Sequence, residues 1–397
     1  MLQKFVYLSA ALAIVHAQDL GVPLSWKNFS NSRPFDERVS IGQSAIDAIV
    51  PQLNNATGEF NGIGYWQSGN VFSVMAIQDW LAHTTKNKAQ VVDNLETVWS
   101  LWKNYDQYGV SAASYNDDAM WWAQAAIYAH RAYGNDTLLQ HAIDTWTHVT
   151  NYALTADQAS AGSSPYKSVS LVATCENKSM VGGVFWRPVE DDPGMNSITT
   201  GLYITLSAFL ADITGDSKYT NAAIQSARWM QTLQINSNGI LLDSLNDHDC
   251  SRSPSTWLFT YNSGKFIEGL SVLANVTKDE AWSSLLANVV ASAVKSSAWQ
   301  GSDGIITEGA SPSSDNDGVG FKAIFIRGLL EAWNRNPLYD DLRILIHSYV
   351  DVQYNALLTQ VANGGSYSSA WHGAAQNFTT WGQMAALDPL TVAVATN

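Results

Sequence analysis

The chain has 397 residues, of which 46% are hydrophobic and 14% are charged. This length and composition suffice for one large folded domain and exclude an intrinsically disordered protein. The 35 acidic and 21 basic residues give a formal net charge of −14, which disfavours binding to nucleic acid phosphates or to anionic lipid. We therefore expect a monomer that binds a neutral ligand and has neither nucleic acid nor membrane as a partner.

Residues 1–17 have the features of a secretory signal peptide. Lys4 is followed by an apolar run that ends in Val15-His16-Ala17, a small-residue pattern typical of a cleavage site. The sequence thus predicts a secreted, extracellular protein with a single domain over residues 18–397. Six Asn-x-Ser/Thr triplets agree with passage through a glycosylating pathway: Asn28, Asn55, Asn135, Asn177, Asn275 and Asn377.

The chain contains two cysteines, Cys175 and Cys250. In an oxidising compartment we expect one disulfide between them, the alternative being two free buried thiols. No stretch after residue 17 approaches the roughly 18 apolar residues that cross a bilayer. The segment 390–397 is also too short and too polar for the apolar tail that precedes a lipid anchor. We therefore expect a soluble product without an anchor.

Helical periodicity, with apolar residues at i, i+3, i+4 and i+7, recurs along the whole chain. It predicts helices near 35–52, 65–84, 88–105, 116–133, 137–154, 195–213, 217–235, 261–275, 278–296, 319–335, 339–360 and 378–395. Short turns at 83–87, 133–136, 214–217, 275–278 and 334–337 join helices into hairpins. The links 155–194, 236–260 and 297–318 are long and rich in Gly, Ser, Asn, Asp and Pro.

These unequal links distinguish a closed barrel from an open solenoid. A solenoid repeats at a near-constant period, whereas here one set of links is short and the other is expanded, as when loops at one end of a barrel build a cleft. Counting the first helix with the last gives six pairs. The sequence therefore predicts an all-α fold, a six-hairpin (α/α)6 barrel, with room for a small hairpin around 182–186 in the link 155–194.

Residues 115–122 read Tyr-Asn-Asp-Asp-Ala-Met-Trp-Trp and set two carboxyls beside two indoles. Glycoside hydrolysis uses a pair of carboxyls, and adjacent residues such as Asp117 and Asp118 can hold theirs about 5 to 5.5 Å apart, the separation found in retaining enzymes. The competing interpretation is an ordinary helix start, in which Asn116 is the N-cap and the acids favour the positive helix end.

The placement of the tryptophans favours the catalytic interpretation. Trp121 and Trp122 each follow one of the acids by four residues and so share a helix face with it. Burial against indole and repulsion from Asp117 would raise the proton affinity of Asp118, while the helix end would keep Asp117 ionised. That asymmetry is what a nucleophile and a general acid require.

With these features in place, the chain resembles glycoside hydrolase family 76, the endo-α-1,6-mannanase family, whose mark is an Asp-Asp pair followed by aromatic residues. The motifs that carry the resemblance are Asn116-Asp117-Asp118, Trp121-Trp122, Gly182–Arg187, the nearby Asn196, Thr260–Gly264, Asp315–Asp317 and Phe321–Arg327. The resemblance implies an α/α barrel and a retaining mechanism with Asp117 as nucleophile and Asp118 as general acid/base. Ser263 and Ala323 depart from the family pattern, which usually has Gln and Gly there.

The same hypothesis assigns substrate-binding residues. Stacking or cleft-wall roles are expected for Trp121, Trp122, Trp186 and Tyr261, hydroxyl-binding roles for Asn196, Asp243 and Asn262, and substrate contacts for Tyr115 and Asn116. For Asp243, a capping or surface position is the alternative.

Other polar clusters are given structural roles. Glu190-Asp191-Asp192 precedes Pro-Gly and is interpreted as a solvated rim. Asp315-Asn316-Asp317-Gly318 lacks the bidentate Glu of a calcium loop, since residue 326 is Ile. His130, His141 and His148 lack further ligands at metal spacing. We therefore expect no metal and no cofactor.

The resulting hypothesis is a secreted retaining hydrolase of α-1,6-linked mannan. An alternative with the same site is a transglycosylase of cell-wall glycans, which passes the intermediate to a sugar rather than to water. A third is a mannan-binding protein that has lost turnover. The absence of an anchor tail and the Trp121-Trp122 pair favour the hydrolase.

Overall fold

The computed structural model describes residues 19–109, 111 and 114–397, and the predicted signal peptide 1–17 lies outside them. The described residues contain the predicted helices and one further short helix, Ala156–Ala161 (α6). The helices are Phe35–Ile49 (α1), Tyr65–Ala82 (α2), Lys88–Leu101 (α3), Asn116–Tyr133 (α4), Asp136–Thr150 (α5), Ser197–Thr214 (α7), Ser217–Trp229 (α8), Thr260–Thr277 (α9), Glu280–Ala293 (α10), Asp317–Arg335 (α11), Asp340–Ala356 (α12) and Thr380–Thr396 (α13).

Several predicted helices run a few residues beyond the observed α-helices. A 3-10 turn at Val50–Gln52 continues α1, and π-turns at Met230–Gln234 and Leu357–Val361 continue α8 and α12. The chain therefore keeps a helical path and an apolar face there, although the α-helical hydrogen bonding has ended.

The predicted (α/α)6 barrel is confirmed. The helices α2, α4, α7, α9, α11 and α13 each contact the next, and α13 contacts α2, so they form a closed inner ring. Each inner helix is paired with an outer helix: α3, α5, α8, α10 and α12 follow theirs directly, and α1 packs against α13. The inner helices α2, α4, α7, α9 and α11 each precede a tight turn, so these five begin at the same end of the barrel, where the long links also lie. The last inner helix, α13, begins at that end too, since Thr380 donates to the Asn61 carbonyl just before α2.

Three of the tight turns share one local mechanism. Gly134, Gly215 and Lys278 adopt the left-handed conformation that ends α4, α7 and α9. The next residue, respectively Asn135, Asp216 and Asp279, then caps the following helix by accepting a backbone N–H.

Four short antiparallel hairpins lie in the long links. They pair Leu53–Asn54 (β1) with Glu59–Phe60 (β2), Thr174–Cys175 (β3) with Lys178–Ser179 (β4), Gly194–Asn196 (β5) with Ser244–Asn246 (β6), and Ala362–Asn363 (β7) with Ser366–Tyr367 (β8). The hairpin expected around 182–186 is therefore misplaced, because Val184 and Phe185 form only isolated bridges, to Ala153 and Met195.

The predicted disulfide between Cys175 and Cys250 is present, with an S–S distance of 2.05 Å. It joins the link before α7 to the link before α9. Of the predicted glycosylation positions, Asn28, Asn55, Asn177 and Asn377 are exposed, whereas the Asn135 side chain caps α5. Asn275 is half-buried in the last turn of α9. Glycosylation itself stays a prediction.

Inner helices α9 and α11 pack backbone to backbone. A Cβ atom at Gly328 would lie 2.1 Å from the carbonyl oxygen of Gly264, and one at Gly264 would lie 2.5 Å from the Cα of Phe325. Only glycine fits at both positions, since no side chain atom can approach a backbone atom so closely.

Buried charges are paired between the inner helices, in addition to the apolar core. Arg327 of α11 binds the Asp388 carboxylate of α13 at 2.7 and 2.8 Å and the Asn70 side chain of α2 at 2.5 Å. In α9, Lys265 donates to Glu268 at 2.6 Å, and Glu268 accepts a hydrogen bond from Tyr128 of α4. This axial network ties five of the six inner helices together.

The inner helix α7 is an exception to the expectation that no later stretch is long and apolar enough to cross a membrane. Ser197–Thr214 meets both conditions, with a mean hydropathy of 1.2. Its residues are 83% buried, because α7 lies in the inner ring between α4 and α9 and is packed by its outer partner α8.

Asp247 offers a test of how pH acts on this fold. Its side chain is fully buried, and burial raises its pKa to about 8. The unfolded chain has a pKa of about 4, so the folded state binds the proton more tightly. The contribution of Asp247 to stability is thus present at acid pH and is lost as the pH rises through 8.

We expect Asp247→Asn to remove this loss, because an amide does not ionise. Between pH 5 and pH 9, the free energy of unfolding of the variant should rise relative to that of wild type by on the order of 4 kcal/mol, measured by denaturant unfolding. The control is Asp249→Asn, since Asp249 is exposed and a hydrogen bond from Ser251 lowers its pKa. An equal gain in that control would refute the assignment to Asp247.

Candidate active site

A cavity of ≈ 360 Å³ opens at the end of the barrel where the inner helices begin. Its wall is mostly aromatic and contains three carboxylates. The lining residues are Tyr65 and Trp66 of α2, Asp117, Asp118 and Trp121 of α4, Tyr261 of α9, Asp317 and Phe321 of α11, and Tyr108, Tyr115 and Trp186 of the links.

Asp117 and Asp118 occupy the first turn of α4, as predicted, and both face the cavity. Asp117 is 8% exposed. Burial raises its pKa to about 7, although its own N–H, the Trp186 side chain and the N–H of Asp118 donate hydrogen bonds that favour the carboxylate. Burial therefore outweighs the helix end, which alone would have kept Asp117 strongly ionised.

Asp118 holds its proton more tightly than an ordinary carboxyl. Burial raises its pKa well above the usual range, and the negative charges of Asp117, Asp317 and Asp106 raise it further. Hydrogen bonds from Trp186 and two backbone N–H groups oppose the shift at Asp117, whereas none opposes it at Asp118 within the described chain. The pair therefore favours a proton on Asp118 and a charge on Asp117.

Aromatic rings form the rest of the wall. Trp121 lies 5.5 Å from Trp66, and Tyr261 stacks on Phe321 with 3.7 Å between ring centroids. Trp121 also separates the cavity from the axial network, because the Lys265 ammonium lies 5.2 Å from its ring. Flat apolar faces of this kind suit the faces of sugar rings.

Trp122 and Asn116 do not occupy the predicted positions. Trp122 is fully buried, donates its indole N–H to the Tyr65 carbonyl at 3.1 Å and packs against Phe72. It belongs to the core, and its predicted ligand contact is wrong. Asn116 is buried and donates to the Phe185 carbonyl at 2.8 Å. It is not the N-cap, a position held by Tyr115, and it holds the link rather than facing the cavity.

The predicted hydroxyl-binding residues also have other partners. Asn196 caps α7 by accepting the N–H of Thr199 at 3.1 Å. Asn262 is buried and donates to the Asp243 carboxylate at 3.1 Å. Asp243 is half-buried, and its burial raises its pKa. Asn196, Asp243 and Asn262 thus lie outside the cavity lining, and the structure supports their roles in holding the links rather than direct contact with a ligand in this cavity.

Asp317 is the most important site residue that sequence reasoning missed. It accepts a hydrogen bond from the Trp66 indole at 3.0 Å and faces the acid pair. The cluster at 315–318 was interpreted as a turn, but Asp317 is the first residue of an inner helix. The signal that could have identified it is a place in the first turn of an inner helix, which it shares with Tyr65, Trp66, Asp117 and Asp118.

The link that carries Trp186 is held by a buried ammonium. Lys167 Nζ donates to the carbonyls of Arg187, Val189 and Asp192 at 2.7 to 2.8 Å. Three such bonds use all three N–H groups of a protonated lysine. Trp186 itself is fixed by backbone hydrogen bonds to Gly194 and Asn116 at 2.8 Å. The acidic rim 190–192 is therefore the outer part of a fastened loop.

A sequence model of glycosyl hydrolase family 76 matches residues 168–397, more than half of the chain. The match begins after the Asp117-Asp118 pair.

Two curated relatives are mannan endo-1,6-alpha-mannosidases called DCW1. The protein of Saccharomyces cerevisiae is 29% identical over 157 residues, which are 37% of this chain and 34% of that protein. The protein of Candida glabrata is 26% identical over 107 residues, which are 25% and 24% of the two chains. The chain thus matches about a third or less of the length of these relatives.

Solved structures share the fold. The α-1,6-mannanase GH76A of Salegentibacter sp. HEL1_6 superposes with a TM-score of 0.75 at 14% identity, over 91% of this chain and 100% of that one. Dfg5 of Chaetomium thermophilum, solved in complex with glucosamine, superposes with a TM-score of 0.71 at 18% identity, over 93% of this chain and 92% of that one. Together with the family match, the barrel and its cavity identify this chain as a member of glycosyl hydrolase family 76.

Proposed function

We propose that this protein is a secreted, retaining glycoside hydrolase that cleaves α-1,6-mannosidic bonds in mannan. The observation that carries the proposal is the pair of adjacent carboxyls, Asp117 and Asp118, in one aromatic cavity at the N-terminal ends of the inner helices. Membership of family 76 supports the reaction class. The names of the DCW1 relatives support the linkage and the sugar.

Asp117 is the proposed nucleophile. Its carboxylate attacks the anomeric carbon of the mannosyl unit, and the bond from that carbon to the leaving oxygen breaks. Hydrogen bonds from the Trp186 side chain and two backbone N–H groups stabilise the anionic form of Asp117 and orient it. Asp118 has no such donor among the residues that the structure describes.

Asp118 is the proposed general acid/base. It gives its proton to the leaving oxygen as the bond breaks, then takes a proton from the water that attacks the covalent intermediate. Because burial and three nearby carboxylates favour its protonated form, it can act as an acid near neutral pH. No cofactor takes part in either step.

Secretion is part of the proposal. The disulfide between Cys175 and Cys250 is typical of oxidising compartments, and four of the six sequons are exposed at the surface. The N-terminal segment with the features of a signal peptide supports the same destination.

Replacing either acid should abolish turnover. We expect Asp117→Asn and Asp118→Asn each to lower kcat on linear α-1,6-mannan by at least about 10³-fold, because each removes an obligatory step. The thermal unfolding midpoint of the variants should not fall, since both sites disfavour a charged side chain.

NMR of the first sugar released by wild type should show the α-anomer. A β-anomer, or near-normal activity in either variant, would reject the assignment. Products longer than the starting oligomer would indicate transfer to sugar instead of water.

The negative charge of Asp317 should set the pH range of activity. Asp317 raises the pKa of both Asp117 and Asp118, so Asp317→Asn lowers both. We expect both limbs of the kcat/KM profile to move to lower pH, by a few tenths to about one unit. The matched control is Asp315→Asn, which removes a negative charge two residues before Asp317. The Asp315 carboxylate accepts a hydrogen bond from the Gln67 side chain at 3.0 Å. Equal shifts in the two variants would show a general charge effect and contradict the specific role of Asp317.

A further inference from the structure

One exposed tryptophan of this protein lies outside the cavity. All sixteen tryptophans lie in the described part of the chain, and two of them are exposed: Trp186 at 38% and Trp257 at 50%. Trp186 lines the cavity, whereas Trp257 does not. A single exposed apolar side chain is ordinary at a protein surface, so exposure alone assigns no role to Trp257.

What distinguishes Trp257 is a continuous series of rings that leads to the cavity. Tyr261 and Phe321 stack on the cavity wall at 3.7 Å. Phe259 lies 5.4 Å from Phe321 and 6.1 Å from Tyr261. The Trp257 ring follows at 6.3 Å from Phe259. Residues 257, 259, 261 and 321 therefore form an aromatic track from the cavity to solvent.

The segment that bears this track is anchored at both ends. Before it, Arg252 donates to the Gln234 side chain at 3.1 Å, to the Leu233 carbonyl at 2.9 Å and to Glu176. After it, Glu308 accepts hydrogen bonds from the N–H and the hydroxyl of Thr260. A turn in which the Trp257 N–H donates to the Pro254 carbonyl at 2.9 Å also holds the backbone of Trp257.

An exposed ring held in this way is suited to a flat ligand. Indole side chains offer a large contact area and lose little conformational freedom on binding. Sugar rings present an apolar C–H face that fits such a surface. When one unit of a glycan chain lies in the cavity, the next units lie at the cavity mouth. The formal charge of −14 also disfavours anionic polymers at this surface.

We propose that Trp257 is a stacking site for sugar units of a bound glycan that lie outside the catalytic cavity. The inference rests on the proposed function, since it takes the ligand to be a mannan chain engaged at Asp117 and Asp118. It adds a distal binding site on the side of the cavity formed by α9 and α11. The consequence is a preference for long chains over short ones.

The test uses linear α-1,6-mannooligosaccharides of two to eight units and the full-length protein. For wild type, kcat/KM should rise with chain length until the chain reaches Trp257. Trp257→Ala should lower the ratio of kcat/KM for the longest and shortest cleaved oligomers by about 3- to 10-fold, as expected for loss of one aromatic contact. Trp257→Phe, which keeps a ring, should retain most of that ratio.

Leu338→Ala is the control, because Leu338 is 94% exposed and lies in the tight turn after α11, at the opposite end of the barrel. It should leave the length ratio as in wild type. A Trp257→Ala variant with an unchanged ratio, or with equal losses at every length, would overturn the proposal.

The proposed hydrolase function and the proposed distal site can be rejected independently. If wild type cleaves none of the oligomers, the proposed hydrolase function fails, and the same series is measured by calorimetric binding. A length-dependent affinity that Trp257→Ala reduces by about 3- to 10-fold would still support the distal site. Binding that does not depend on length or on Trp257, or the absence of binding, would reject it.

Discussion

The closed inner ring depends on charges that are paired across the barrel axis. Arg327 of α11 is fully buried and binds both Asp388 of α13 and Asn70 of α2, so one guanidinium joins three helices. Leaving one member of a buried pair without its partner costs about 3 to 5 kcal/mol. Each such pair thus makes the arrangement of its helices specific, since other arrangements would leave a charge unpaired. Trp121 connects this network to the cavity, because it contacts Lys265 and also lines the cavity.

The same geometry determines where chemistry can occur. Six inner helices begin at one end, so their first turns bring side chains from distant parts of the sequence into one place. The free N–H groups and positive helix ends there favour a carboxylate, whereas burial disfavours it. At Asp117 burial outweighs the donors, which limit the rise of its pKa to about 7. At Asp118, which has neighbouring negative charges and no hydrogen-bond donor within the described chain, burial dominates. Two adjacent residues of one type thus acquire different protonation states.

Sequence periodicity was sufficient to predict the helices and their closure into a barrel, because an amphipathic pattern and the lengths of links are local properties. The acid pair was equally accessible, since its members are adjacent in the chain. The sequence did not reveal that Asp317, Tyr65 and Trp66 line the cavity, because this depends on which inner helices adjoin α4. Trp122 shows the limit of spacing arguments: it follows Asp118 by four residues, yet its ring points past Tyr65 into the core, one helical step away from the cavity face of Trp121.

The long links were predicted to build a cleft, and the structure explains how they do so without regular secondary structure of any length. The links before α7 and before α9 are joined by the Cys175–Cys250 disulfide and by pairing of β5 with β6. Within the link before α7, the Lys167 ammonium binds three carbonyls. A loop that must hold Trp186 against Asp117 would otherwise lose conformational entropy each time a ligand bound. Because these fastenings order the loop during folding, binding need not do so. The cavity is therefore arranged before the ligand arrives, and interactions with the ligand remain available to stabilise the transition state.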